Sequence, residues 1–167
     1  MNFTNRVCQT LHDEHSATVA LMERLERFII GNRRSEPPNT GDSAVAKLLM
    51  DLSISIEGEV MRHFTFEEDR LFTYLNTIGD EAISAHLTDE HKVMRPVGLR
   101  LAGLSRQATA TGFDEAKWDE FRQVGQELCE RLLAHVQKEE VALLPLIEEN
   151  MDAATEARLS EEYLETT

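Results

Sequence analysis

This sequence predicts an all-α fold: an antiparallel up-down-up-down four-helix bundle followed by a short C-terminal helix. Three observations predict it. Apolar residues recur at steps of three and four along four long stretches. Glycine, proline and other turn residues gather between those stretches. The strict alternation of a half-buried strand is absent. The 167 residues are enough for one domain with a sizeable core. The expected division is 1–150 for the bundle and 151–167 for an acidic C-terminal helix or tail.

The first helix is expected over about Thr4–Ile30, with Leu11, His15, Thr18, Met22, Leu25 and Ile29 facing inward and Gly31 stopping it. The stretch NRRSEPPNTG is a loop by its prolines and turn residues. Asp42 or Ser43 caps the second helix, whose stripe reads Leu49, Leu52, Ile56, Glu59 or Val60, His63, Glu67, Leu71 and Tyr74. Gly58 weakens its middle by about 1 kcal/mol relative to alanine, and Gly79 ends it. The third helix runs from about Asp80 to Ala110 with Leu87, His91, Met94, Gly98, Leu101 and Ser105 inward, and Pro96 is expected to kink or divide it. Asp114 caps the fourth, with Trp118, Phe121, Gly125, Leu128, Leu132, His135, Glu139, Leu143 and Leu146 inward and Pro145 and Asn150 marking its end. The acidic residues from Asp152 to Thr167 form a short helix with a frayed tail.

Seventeen basic against 31 acidic residues give a net charge of −14, which argues against nucleic acid or anionic lipid as a partner. No secretory leader and no membrane-spanning apolar run can be read, so a cytoplasmic protein is expected. Cys8 and Cys129 fall on opposite sides of the histidine level, about 20 Å apart by helical rise, and are expected to stay unpaired.

The chain resembles itself. Leu11-His12-Asp13-Glu14-His15 matches Leu87-Thr88-Asp89-Glu90-His91 at four of five positions, and His63-x3-Glu67-Glu68 is echoed by His135-x3-Glu139-Glu140. A helix pair is therefore written twice. In an up-down bundle His15, His63, His91 and His135 fall within roughly one to one and a half turns of a common level. Glu67 and Glu139 lie one turn beyond their histidines on the same apolar stripe, where a carboxylate is costly unless paired or bound to metal. Two facing carboxylates can bridge two cations, and imidazole with carboxylate suits Fe and Mn, with Zn behind them. His12 shares the face of His15 and is expected as an extra ligand, a hydrogen-bonding neighbour or a half-exposed surface residue. His86, five residues before His91, is expected to be mostly structural. Both point toward the same bundle end, where they could line a mouth. Glu68 and Glu140 are expected to be solvated rim residues, and Glu59 is a candidate acceptor for the His63 ring.

On LHDEH around His15, HFTFEEDRLFTYL around His63, LTDEH around His91 and HVQKEEVALLPLIE around His135, the chain resembles the hemerythrin-like (HHE cation-binding) family over about Leu11 to Glu148. The resemblance implies a non-haem di-iron centre, oxo- or hydroxo-bridged. Its ligands would be His15, His63, Glu67, His91, His135 and Glu139, with the two glutamates as bridges. Two positions depart from oxygen-carrying hemerythrins. Leu87 stands where they have a fifth histidine, and Glu139 follows its histidine at four residues where they have an aspartate at five. Both departures point away from a plain oxygen carrier.

The expected function is a di-iron protein that binds or senses O2, NO or iron itself. The alternative is a di-iron enzyme: a peroxidase or oxidase, or a nitric-oxide- or oxidative-stress protein that repairs iron centres. A third reading uses the metal only to hold the bundle. With two histidines and two shared carboxylates per iron, a position stays open for O2, NO or peroxide, and a further histidine ligand would close it. No tyrosine or cysteine stands out for electron transfer, which favours binding.

Overall fold

A computed structural model describes residues 3–165, which form four long helices and one short one, with no strand among them. Helix α1 (Arg6–Gly31) starts where the side chain of Asn5 accepts the N–H groups of Val7 and Cys8 at 2.9 and 3.2 Å. Helix α2 (43–77) is capped by Asp42, which accepts the N–H groups of Ala44 and Val45. Gly79, at φ +90°, turns the chain into α3 (Glu81–Thr111). Asp114 accepts from the Lys117 N–H to begin α4 (115–150), and α5 (Ala153–Glu165) closes the chain.

Of the two expected effects of Pro96, division does not occur: α3 runs unbroken through it. Pro96 and Lys92, whose carbonyl loses its usual partner, both lie on the exposed face, so water can satisfy that carbonyl.

Helices α2 and α4 are not regular throughout. Each contains a widened turn, Glu67–Leu71 in α2 and Glu139–Leu143 in α4. There the N–H of Phe72 reaches back five residues to the Glu67 carbonyl, and that of Leu144 to the Glu139 carbonyl. A third widened turn, Ser55–Val60, contains the weak Gly58. These turns re-phase the helices, and the buried stripe corrects the even-step reading. Leu75 is buried in place of Tyr74 and Ile147 in place of Leu146, and of the two residues left open at 59 and 60 it is Val60 that faces inward.

Polar contacts at each seam fix the neighbours. Glu14 and Arg24 of α1 meet Arg62 and Asp51 of α2. Glu57 and Glu68 of α2 meet Arg106 and Arg95 of α3. Glu90 and Arg100 of α3 meet Lys138 and Glu120 of α4. Glu148 of α4 accepts the N–H groups of Thr4 and Asn5 just before α1, while Arg34 just after α1 pairs with Asp119 of α4. Across every seam residue numbers rise on one helix as they fall on the other.

The apolar interior is in two blocks. One, around Met22, Leu25, Leu52, Leu101, Trp118 and Phe121, fills the end nearer the 32–42 loop. The other, around Leu11, Leu71, Leu75, Leu87 and Ile147, fills the opposite end, and α5 adds Leu159 and Tyr163 to it. A polar layer lies between them.

The two thiols sit in different blocks. Cys8 Sγ donates to the Leu144 carbonyl and Cys129 Sγ to that of Met22. Burial pushes both thiols up to about 12. Neither should be alkylated by iodoacetamide at pH 8 in the folded protein, and both should be in denaturant, as counted by intact mass. A thiol held protonated by the fold stabilises it fully below the unfolded thiol value of about 8.5. The denaturation midpoint should therefore fall as pH rises from there toward the folded value of about 12.

Candidate metal centre

The polar layer is built from six side chains. His15 comes from α1, His63 and Glu67 from α2, His91 from α3, and His135 and Glu139 from α4, and all six are buried. The HxxxE spacing places each glutamate one turn above its histidine. The widened turn begins at that glutamate in both helices, so the carboxylate stays on the inner face while the next apolar residues re-phase.

The six fall into two groups that share both glutamates. His15, His63, Glu67 and Glu139 form one and His91, His135, Glu67 and Glu139 the other, with the donor atoms of each group all within 4.8 Å of one another. Glu67 turns Oε1 to His63 Nε2 at 3.2 Å and Oε2 to His91 Nε2 at 3.4 Å. Glu139 turns Oε1 to His135 Nε2 at 2.9 Å and Oε2 to His15 Nε2 at 3.0 Å. The histidine Nε2 atoms approach pairwise, His15 to His63 at 3.2 Å and His91 to His135 at 3.0 Å.

Fitness for a cation can be judged from what these atoms lack. Glu67 and Glu139 are fully buried, and none of their four carboxylate oxygens makes a hydrogen bond among the described residues. Buried carboxylate oxygens without donors are costly, and a shared positive charge removes the cost. Paired imidazole nitrogens aimed at each other also require a proton or a cation between them. Eight donor atoms converge on two points with imidazole and carboxylate at each, a set that suits a transition-metal cation.

The other ring nitrogen of each histidine is held by a carboxylate from a neighbouring helix. His63 Nδ1 meets Glu14 at 2.8 Å, His91 Nδ1 meets Glu68 at 2.8 Å, His135 Nδ1 meets Glu90 at 2.9 Å and His15 Nδ1 meets Glu140 at 2.6 Å. The carboxylates run in a closed ring, α1 to α2, α2 to α3, α3 to α4 and α4 back to α1. Each keeps a proton on Nδ1, so that in the neutral ring the Nε2 lone pair faces the interior.

Charge follows this arrangement. Burial opposes ionisation of Glu139, yet the imidazoles of His135 and His15 hold its carboxyl well below the usual range. Burial alone would lower His135, but Glu139 and Glu67 bring it up to about 9, and the same carboxylates raise His63. His91 goes the other way, to about 4, because burial dominates there. Its ring stacks on Phe64 at 4.0 Å and on Phe72 at 5.8 Å.

The hemerythrin HHE cation-binding domain family matches residues 6–115 and again residues 83–165. The chain belongs to that family. The two matches overlap over residues 83–115: the first spans both DEH segments, and the second starts again just before Asp89-Glu90-His91, where the internal repeat begins its second copy. A search of curated proteins found no match.

Within this HHE domain the remaining predicted residues fall outside the two groups. His12 bonds through Nδ1 to Glu140 at 2.8 Å and packs edge-on against Phe3. His86 is mostly exposed and lies 3.4 Å from Glu90. They meet different carboxylates, Glu140 and Glu90. Leu87, at the place of the fifth histidine, is core. Glu68 and Glu140 are not simply solvated, since each holds a histidine, and Glu59 is exposed while Glu14 serves His63. Sequence reasoning missed Glu14 and Glu90 and misjudged Glu68 and Glu140. The signal was present: all four are immediate neighbours of an inward residue, about 100° around the helix and so directed at a seam.

Replacing Glu90 by alanine should weaken cation binding by about 10- to 100-fold, while Glu59→Ala should leave it unchanged. A competition titration with Zn2+ measures both, and equal losses in the two variants would contradict the assignment.

Proposed function

We propose that this protein is a non-haem di-iron protein of hemerythrin type, built on an antiparallel up-down-up-down four-helix bundle, that binds or senses O2, NO or iron itself in the cytoplasm. One observation carries the reading. Glu67 and Glu139 each turn one oxygen toward one histidine pair and the other oxygen toward the second pair. That is the disposition of two carboxylates shared between two cations, with His15 and His63 serving one and His91 and His135 the other.

When bound, two iron ions would supply redox chemistry and open positions for a diatomic ligand or peroxide. The chain's own residues prepare for this. Glu14, Glu68, Glu90 and Glu140 keep the proton on Nδ1, so no histidine needs to change tautomer when a cation arrives. Phe64 and Phe72 keep water from His91. His12 and His86 stay off both groups, so two imidazoles and the two shared carboxylates would hold each cation. The mixed donor set favours iron, with Mn and Zn behind it. A purely structural metal is a poorer account, since an apolar layer would hold the two core blocks together as well.

A second reading, a di-iron oxidase or peroxidase, gains support from a residue that the sequence did not single out. The Tyr163 hydroxyl donates to the same Glu14 carboxylate that holds His63, which sets a phenol next to the shell of the site.

Aerobically purified protein should contain two irons per chain and show near-ultraviolet oxo-bridge absorption. Glu67→Ala and Glu139→Ala should each lose most of the iron while remaining helical by circular dichroism. A single iron per chain in the wild type, or variants that keep both, would overturn the dinuclear reading. Reversible spectral change with O2 or NO supports binding or sensing, and repeated turnover of peroxide supports the enzyme.

A further inference from the structure

The repeat makes the two halves of the site alike in donors, but the structure treats them differently. The His91–His135 half is sealed. His91 is fully buried between two phenylalanine rings, and the His135 side chain is 2 % exposed. The groove between α3 and α4 on that side is lined by Glu90, Met94 and Ala134 and reaches none of the six. The His15–His63 half meets a groove of about 340 Å³ between α1 and α2, lined by Glu14, Ala17, Thr18, Glu59, Arg62 and His63 itself. His63 is also the most exposed of the four histidine side chains, at 8 %.

Glu14 lines that groove beside His63, and Glu14 is held by a helix with no counterpart in the repeat. Tyr163 of α5 donates its hydroxyl to Glu14 Oε2, the oxygen that also meets His63 Nδ1 at 2.8 Å. Arg62 donates to Glu14 Oε1 at 2.9 Å and lies over the Tyr163 ring at 5.1 Å. The ring packs against Phe66 at 4.5 Å. Among the described residues, the corresponding carboxylate of the other half, Glu90, has Lys138 and the mostly exposed His86 behind it.

We infer that the His15–His63 position is the exchangeable one of the pair, that cations and small ligands reach it through the α1–α2 groove, and that Tyr163 is a positioning residue which sets how readily it opens. The inference rests on the dinuclear reading above. Tyr163 acts through Glu14, fixing the carboxylate that orients His63. Removing its hydroxyl frees Glu14 to swing with Arg62 and loosens His63, while the ring still fills its place against Phe66.

The test is release of iron from the loaded wild-type protein to an excess of a phenanthroline-type chelator, followed by absorbance. Wild type should lose its two irons in two phases of equal size. Tyr163→Phe should speed the first phase about tenfold and leave the second unchanged. Ala17→Trp, which fills the groove, should slow the first phase, and Ala134→Trp, in the groove between α3 and α4, should change neither. Thermal melts of the three variants before loading check that each is folded. Release of both irons in a single phase, equal acceleration of both phases by Tyr163→Phe, or slowing by Ala134→Trp and not by Ala17→Trp would overturn the inference alone. Fewer than two irons per chain before chelation would sink the dinuclear reading, and this inference with it.

Discussion

Two carboxylates buried in the middle of an apolar bundle set the terms for the rest of this protein. Glu67 and Glu139 have no exposure, and their four oxygens accept no hydrogen bond from any described residue. Isolated in that way, each would cost several kcal/mol. The interior answers with four imidazoles, one for each oxygen. Imidazole alone does not finish the task, since the Nε2 atoms of each pair then face each other at hydrogen-bonding distance. A layer that is short of positive charge on its carboxylates and crowded with lone pairs on its nitrogens is poised for cations. It also explains why the apolar core is split into two blocks.

The outer carboxylates follow from the same repeat. In α1 and α3 the supporting glutamate precedes the inward histidine by one residue, and in α2 and α4 it follows the inward glutamate by one. One residue is about 100° of helix rotation. Because residue numbers run in opposite senses on neighbouring helices, a step back on one and a step forward on the next turn the same way around the bundle. All four supports therefore point to the next helix in a single sense, and the ring closes when α4 reaches α1. Two short motifs, Glu-His and His-x3-Glu-Glu, each written twice, specify both the inner layer and its support.

That economy explains what could be read from the sequence and what could not. The helices, their caps at Asp42 and Asp114, and the convergence of six side chains were legible because period and spacing carry them. The stripe after Glu67 and Glu139 was misread, with Tyr74 and Leu146 in place of Leu75 and Ile147, because a constant period cannot anticipate an extra residue in a turn. That α3 would run undivided through Pro96 was not legible, since it depends on whether the orphaned carbonyl faces water, and that is a tertiary fact. The supporting glutamates were taken for surface charge because a residue 100° from the core stripe is exposed on an isolated helix and meets a seam only once the neighbours are in place. Tyr163 lies in the acidic C-terminal stretch, far along the chain from His63, and no local pattern connects them.

A duplicated helix pair tends toward a symmetric site, and a site whose two halves were alike in every respect would have no reason to admit a ligand at one cation rather than the other. The departures from symmetry in this chain are confined to the surroundings. Phe64 and Phe72 enclose His91 on one side. On the other, α5 packs against α1 and brings a phenol to Glu14 beside a groove that reaches His63. The six inner side chains can thus keep one arrangement in both halves, while the groups around them differ from one half to the other. What distinguishes one half of this chain from the other lies around the inner six, and the C-terminal helix has no counterpart in the repeat.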